Sequence, residues 1–303
     1  MLREYRAGEE SVMKKALLEN PQNTIDVLQK YQFTFHKRFG QNFLIDPHVL
    51  DKIISSAEIT KEDAILEIGP GIGTMTQALS EAAGKVIAVE IDRHLMPILK
   101  ETLEGYDNVR ILWEDILKVD IGKLVREENG DQPIKVVANL PYNITTPVIL
   151  GLLRSHAPIN SITVMIQEEV ADRIAAKAGT KEYGALTLAV NYYAVPYIVA
   201  YVPPNCFIPR PKVGSAVVRL TLREKPPVAV DNEELLFSII RASFNQRRKT
   251  LVNGLYNASN LNFSKEDIRK AIKSLGKEEG IRGETLSLEE FADLSNYLNR
   301  KEE

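Results

Sequence analysis

Asn139-Leu140-Pro141-Tyr142 combines residue types suited to chemistry on an aromatic amine. Such a nitrogen is a poor nucleophile because its lone pair is delocalised into the ring. The Asn139 side-chain carbonyl and the Leu140 backbone carbonyl can each accept one of its hydrogens. That pairing favours a more tetrahedral nitrogen, with its lone pair aimed at an electrophile. Tyr142 offers a flat face for the ring, and base stacking on an aromatic side chain contributes about 1–3 kcal/mol. No general base is demanded, because a neutral amine can shed its proton after the new bond forms. Catalysis would then rest on positioning and electrostatics. His36, His48, His94 and His156 are accordingly given no catalytic role. The competing reading is a plain strand-to-turn junction.

A second constellation lies upstream. Glu67-Ile68-Gly69-Pro70-Gly71-Ile72-Gly73 follows a strand-like run and opens into a helical pattern. Its glycines permit a tight turn and close approach to a ligand, and the helix start offers free N–H groups. A dinucleotide fingerprint would require glycine where Thr74 stands. The E-x-G-x-G-x-G pattern instead resembles motif I of S-adenosylmethionine-dependent methyltransferases. A Gly-rich turn that only connects two elements is the alternative. Glu90 ends the next strand-like run, where a carboxylate can accept both ribose hydroxyls of a nucleoside. Asp115 follows the third, where it could accept from an adenine amino group, with Ile91 and Ile116 sandwiching the ring. Acids at successive strand ends converge on one crevice in an open α/β sheet.

These residues need a scaffold of alternating strands and helices. Residues 64–68, 85–89, 109–113, 134–138 and 162–166 read as strands. Between the first two, Met75, Ala78, Leu79 and Ala82 recur at helical spacing until Gly84. Strands alternating with helices predict a parallel sheet covered on both faces. Residues 197–202 and 215–222, separated by a Pro-rich loop, fit an antiparallel pair at the sheet edge. After Pro226-Pro227 the pattern is helical, through 235–251, 265–275 and 288–298. Ser264 and Ser287 suit N-caps, each with an acid three positions on. The expected division is a catalytic domain over 1–224 and a helical domain over 225–303.

Composition narrows the class. With 44% hydrophobic and 26% charged residues among 303, the chain can build a sizeable core. The lone Cys206 excludes an intrachain disulfide and reads as a small buried hydrophobe. No charge-free apolar run is long enough for a bilayer span, and the charged first thirty residues do not resemble a signal peptide. A cytoplasmic monomer without membrane or metal partners is expected. The net charge of -3 means that any nucleic-acid contact must come from local clusters. Arg241, Arg247, Arg248 and Lys249 lie in 235–251 with no acid among them, and Lys37 and Arg38 sit among Phe33, Phe35 and Phe39. Basic groups beside aromatics suit phosphate contact plus base stacking, although solvated faces over core aromatics would look the same.

Asn139-Leu140-Pro141-Tyr142 also has the amino-methyltransferase form, an Asp, Asn or Ser followed by two prolines and an aromatic, with Leu140 at the first proline. Together with Gln41-Asn42-Phe43-Leu44 and the loop Phe207-Ile208-Pro209-Arg210-Pro211-Lys212-Val213-Gly214-Ser215, it resembles the ribosomal RNA adenine dimethyltransferases from about Phe33 to Leu298. The resemblance is closest to the bacterial small-subunit branch, whose loss gives kasugamycin resistance. Residues 242–251 and 282–287 look like that branch rather than the large-subunit enzymes of macrolide resistance. It implies a Rossmann-like seven-stranded methyltransferase sheet with a small C-terminal all-helical domain, and S-adenosyl-L-methionine as cofactor. It further implies two methyls on each of two adjacent adenines in a loop of small-subunit (16S) rRNA, and a part in ribosome biogenesis. Asn42 and Leu44 would contact the methionine end of the cofactor, Gly69 and Gly71 would approach it closely, and Phe207 would stack on the target adenine opposite Tyr142. Glu168 stands where relatives often carry lysine, so the resemblance does not extend to an RNA contact by that helix. The rivals are a nicotinamide dehydrogenase, which Thr74 and Asn139–Tyr142 disfavour, and an RNA-binding assembly factor without catalysis.

Overall fold

The computed structural model describes Leu18, residues 20–36 and residues 39–300. A short helix α1 (Pro21–Lys30) precedes β1 (Phe43–Leu44) and α2 (Pro47–Ser56). The Asp46 side chain accepts from the His48 and Val49 N–H groups, and Pro47 needs no N–H partner at the first helical position, so α2 starts where the sequence signals it. Alternation then runs β2 (Ala64–Ile68), α3 (Thr74–Ala82), β3 (Lys85–Val89), α4 (Met96–Thr102), β4 (Val109–Leu112), α5 (Ile121–Asn129), β5 (Ile134–Asn139), α6 (Thr145–Arg154) and β6 (Ile159–Gln167). Next come α7 (Glu168–Ala175), α8 (Ala185–Tyr193), β7 (Ala194–Val202), β8 (Phe207–Ile208) and β9 (Ser215–Leu222).

Seven strands form one sheet in the order β4-β3-β2-β5-β6-β9-β7. The first five pair in parallel, and β9 inserts antiparallel between β6 and β7. The runs are apolar throughout because both faces are covered; β2 is buried at every position. One face packs Leu66, Val136, Val164 and Val218 against α6 and α8 side chains such as Ile149 and Val190. The other packs Ile65, Val137, Met165 and Val217 under Ile53 of α2 and Leu79 of α3. Strand order reverses at β2, between β3 and β5, which opens a crevice at the carboxyl ends of these strands. β1 and β8 make a separate antiparallel pair, Leu44 opposite Phe207.

The remainder is helical: α9 (Glu233–Asn245), α10 (Leu251–Tyr256), α11 (Lys265–Ser274) and α12 (Leu288–Asn299). Ser264 and Ser287 cap α11 and α12, the latter as a full capping box with Glu290. These helices share a core around Leu236, Ile240, Ile272 and Phe291, which Leu188 and Tyr192 of α8 also enter. The single helix expected over 235–251 is two. α9 stops at Asn245 because Gln246 leaves helical geometry (φ -127, ψ 58), and Thr250 caps a new helix by accepting from the Asn253 N–H. Arg247, Arg248 and Lys249 therefore sit in a turn rather than on a helix face. Among the described residues no helix is long and apolar enough to cross a membrane.

Candidate active site

The crevice holds a cavity of about 280 Å³, walled by residues 39–44, the Gly-rich turn, the ends of β3 and β5, and residues 114–117. Asn42, Leu44, Gly69, Gly71, Glu90, Ile91, Asp115, Ile116, Asn139, Leu140 and Tyr142 all line it. Residues spread over a hundred positions of sequence thus meet because each stands at or just beyond a strand end.

The Gly-rich turn is shaped for close approach. Gly69 has φ 71, and an added Cβ would meet nothing within 4 Å, so the backbone conformation alone calls for glycine there. Gly71 has φ 60, and its Cβ would lie 2.8 Å from Cε1 of Phe43. There the ring of β1 occupies the space that any larger residue would need.

Glu90 is 6% exposed. Its two carboxylate oxygens accept from the Asp92 N–H (2.7 Å) and the Gly71 N–H (3.3 Å). Burial pushes its carboxyl above the ordinary range, opposed by these backbone donors. Asp115 is half-buried, and one of its oxygens accepts from the Leu117 N–H at 3.1 Å, which holds the side chain at the rim. Ile91 and Leu117 are each 49% exposed at this end of the cavity. Half-exposed aliphatic side chains flanking two acids suit a nucleoside, whose flat base would cover the apolar groups while its polar edges meet the acids.

At the other end, Asn139 closes β5. Its side-chain NH2 donates to the Asn42 carbonyl at 3.0 Å. That bond uses the NH2 and leaves the amide's carbonyl oxygen as the group able to accept an N–H. The Leu140 side chain is buried in the core, anchoring the peptide that follows Asn139. The Pro141 carbonyl accepts from the Ile144 N–H and the Thr145 hydroxyl, both at 3.1 Å, so the turn leading into α6 is rigid. Tyr142 is half-buried, and its hydroxyl meets the Ser215 hydroxyl at 2.8 Å, fixing the ring from the start of β9.

Several expected residues lie elsewhere. Phe207 is 3% exposed and sits in a core cluster with Leu44, Val49 and Cys206, and it is not among the residues of the cavity wall where Tyr142 stands. Its pairing with β1 turns the ring into the core. Arg247 is engaged by protein. Its guanidinium donates to the carbonyls of Lys181 (2.9 Å) and Tyr183 (3.3 Å) and pairs with Glu284 at 3.1 Å. It therefore clamps the turn after α9 rather than presenting a free cation. Arg248 and Lys249 are exposed. Lys37 and Arg38 lie outside the described residues.

Three features were not anticipated from sequence. Ser215 supports Tyr142, although it was visible only as the last residue of the Phe207–Ser215 loop. Gln41 donates to Asp92 at 2.7 Å and so ties the residue 39–44 wall to the segment after β3. Glu67 is fully buried beneath the Gly-rich turn, and neither of its oxygens has a hydrogen bond of ordinary geometry among the described residues. Burial raises its carboxyl to about 8, against a smaller opposing pull from Thr76 and a like-charge push from Glu90.

Comparison with known proteins gives a consistent picture. The family model described as ribosomal RNA adenine dimethylase matches residues 32–300. A ribosomal RNA small subunit methyltransferase A of Lachnoclostridium phytofermentans is 64% identical over 287 residues, covering 94% of this chain and 99% of the relative. A dimethyladenosine transferase structure from Plasmodium falciparum superposes with a TM-score of 0.69 at 29% identity, covering 86% of this chain and 98% of that one. The 23S rRNA methyltransferase ErmE superposes with a TM-score of 0.63 at 26% identity, covering 85% and 100%.

Proposed function

Because this chain belongs to the ribosomal RNA adenine dimethylase family, we propose that the cavity residues just described carry out its methyl transfer, on two adjacent adenines in a loop of small-subunit rRNA. The chain is an S-adenosylmethionine-dependent rRNA adenine dimethyltransferase. When bound, S-adenosylmethionine supplies an electrophilic methyl group on a sulfonium. The half-exposed Ile91 and Leu117, the acids Glu90 and Asp115 and the tight backbone at Gly69 and Gly71 fit its nucleoside half. Asn42 and Leu44 wall the end assigned to its methionine half.

The observation that carries the reading is the Asn139 amide, locked by the Asn42 carbonyl so that its own carbonyl is presented as an acceptor. With the Leu140 backbone carbonyl it receives the two hydrogens of the adenine amino group and directs the nitrogen lone pair toward the methyl. Tyr142, held by Ser215, stacks on the base. The proton leaves the nitrogen after transfer, and no side chain need take it in the transition state. The target base must be out of its stack to reach this depth. Asn139 thus acts by preorganised electrostatics, set before substrate arrives.

The described residues up to 224 are assigned to a cofactor-binding catalytic domain of 1–224, and those from 225 onward to a helical domain of 225–303 whose Arg248 and Lys249 contact RNA phosphates. The irregular segment between β9 and α9 and the exposure of both cations support this. The name of the Lachnoclostridium phytofermentans relative supports the small subunit as the particle; a part in ribosome biogenesis and a cytoplasmic location belong to the same reading. The test is transfer of labelled methyl to small subunits lacking dimethyladenosine, with large subunits in parallel. Dimethyladenine on small-subunit RNA alone is expected; label on the large subunit would overturn the assignment.

A further inference from the structure

His36 and His94 are 58 positions apart in sequence, yet their rings lie 5.3 Å apart, centroid to centroid. Between them stands Asp92, buried to 1% exposure. One ring nitrogen of each histidine and one Asp92 oxygen all lie within 4.8 Å of one another. His94 Nδ1 already meets Asp92 Oδ1 at 2.8 Å. The carboxylate is held on its other side, where Oδ2 accepts from Gln41 Nε2 at 2.7 Å. Gln41 in turn accepts from the His36 backbone N–H at 3.0 Å. Two imidazoles thus converge on one oriented carboxylate, and a neighbouring amide fixes both the carboxylate and one histidine backbone.

We propose that His36, Asp92 and His94 form a binding site for one divalent transition-metal cation of the zinc class, beside the cofactor cavity. The donor set is two imidazoles and a carboxylate, which suits zinc and its neighbours rather than calcium or magnesium. Tetrahedral coordination at about 2.0–2.1 Å puts ligand atoms about 3.3 Å apart. The present spread must therefore contract by about 1.5 Å at most. His94 can supply that movement, because its side chain is 68% exposed. The cation would take the place of the contact between His94 Nδ1 and Asp92 Oδ1, and water would complete the open position. Gln41 supplies the outer hydrogen bond that metal-binding carboxylates normally receive. Nothing in the catalytic scheme uses either histidine. The site joins the segment before the cavity wall, at His36, to the loop that follows Glu90, so the cation acts as a clip between two walls that are otherwise linked through Gln41.

The test uses the full chain, stripped with chelator and dialysed, and titrated with zinc by calorimetry and with cobalt(II) by visible absorption. One saturable site in the micromolar range is expected, with cobalt bands of low-coordinate geometry and a zinc-dependent rise in Tm. His36→Ala and His94→Gln should each weaken binding by at least the ~10–100-fold that loss of even an outer partner costs. His48→Ala and His156→Ala should leave it unchanged. Unaltered S-adenosylhomocysteine affinity in chelator shows that each variant is folded. The proposal is overturned if the parent chain takes up no cation saturably, or if the His36→Ala/His94→Gln double variant binds as the parent does.

Discussion

The side-chain NH2 of Asn139 donates to the backbone carbonyl of Asn42 at 3.0 Å, joining the end of β5 to the cavity wall 97 residues earlier. This bond decides which face of the amide a substrate meets. Asn139→Ala removes the acceptor without touching the nucleoside end of the cavity. Single-turnover methyl transfer should fall by about 10²–10³, the size seen when one preorganised electrostatic partner is removed. Cofactor affinity by calorimetry should change little. Turnover near that of the parent would remove Asn139 from the mechanism.

Tyr142 has two separable features, a ring and a hydroxyl held by Ser215 at 2.8 Å. Tyr142→Phe keeps the ring and loses one hydrogen bond, a cost of about 0.5–1.5 kcal/mol. Tyr142→Ala loses the stacking face, about 1–3 kcal/mol. The second variant should therefore show the larger loss in kcat/KM for RNA. Equal effects of the two would assign the residue to folding rather than to the base.

Gly71 combines φ 60 with a neighbouring Phe43 ring that an added Cβ would meet at 2.8 Å. Gly71→Ala must either strain the backbone, at about 1–2 kcal/mol for a left-handed conformation, or displace Phe43. Thermal unfolding should register the loss, and cofactor titration a weaker Kd. A variant with parental Tm and Kd would mean that the turn relaxes freely.

Glu67 connects pH to stability. Its folded carboxyl is raised to about 8 from an ordinary 4.5, because burial disfavours the charge. The neutral folded form is stabilising relative to the unfolded chain only while the unfolded carboxyl is also protonated. Its contribution is thus fully present below about pH 4.5 and is lost as pH rises through about 8. Glu67→Gln should gain stability over the parent across that window, by about a few kcal/mol at its upper end. Chemical denaturation of both proteins at pH 5 and pH 8.5 measures the difference; a gap that does not widen with pH contradicts an uncharged Glu67.

The basic turn after α9 should divide by function. Arg248→Ala and Lys249→Ala should each weaken RNA binding and reduce the dependence of log K on log salt by about 0.7–0.9 for every phosphate left without its cation. Arg247→Ala should mainly lower Tm, because its guanidinium is committed to Lys181, Tyr183 and Glu284. Filter binding across salt concentrations, set beside unfolding curves, distinguishes the two. A full salt-slope change in Arg247→Ala would mean that the clamp opens on RNA.

Much of the catalytic region was legible in the chain because local rules govern it. Period and burial made the parallel strands continuous apolar runs, and Ser264 and Ser287 marked helix starts through backbone N–H groups that need partners. Motif residues at strand ends followed from the same logic: a parallel sheet delivers its carboxyl ends to one crevice, so Gly69, Glu90, Asp115 and Asn139 line one cavity.

What the tertiary structure decided is everything that depends on the meeting of distant segments. Arg247 reads as a free cation in sequence, and only the approach of residues 181–183 and 284 consumes its charge. Phe207 reads as a stacking partner for the target base, and its pairing with β1 buries it. Glu67 reads as part of a glycine motif, and complete burial raises its carboxyl to about 8. His36 and His94 carry no signal at their spacing, and they meet only because the cavity wall folds back onto the loop after β3. Local propensity is written into short stretches of chain, whereas desolvation and pairing are set by whatever arrives from elsewhere.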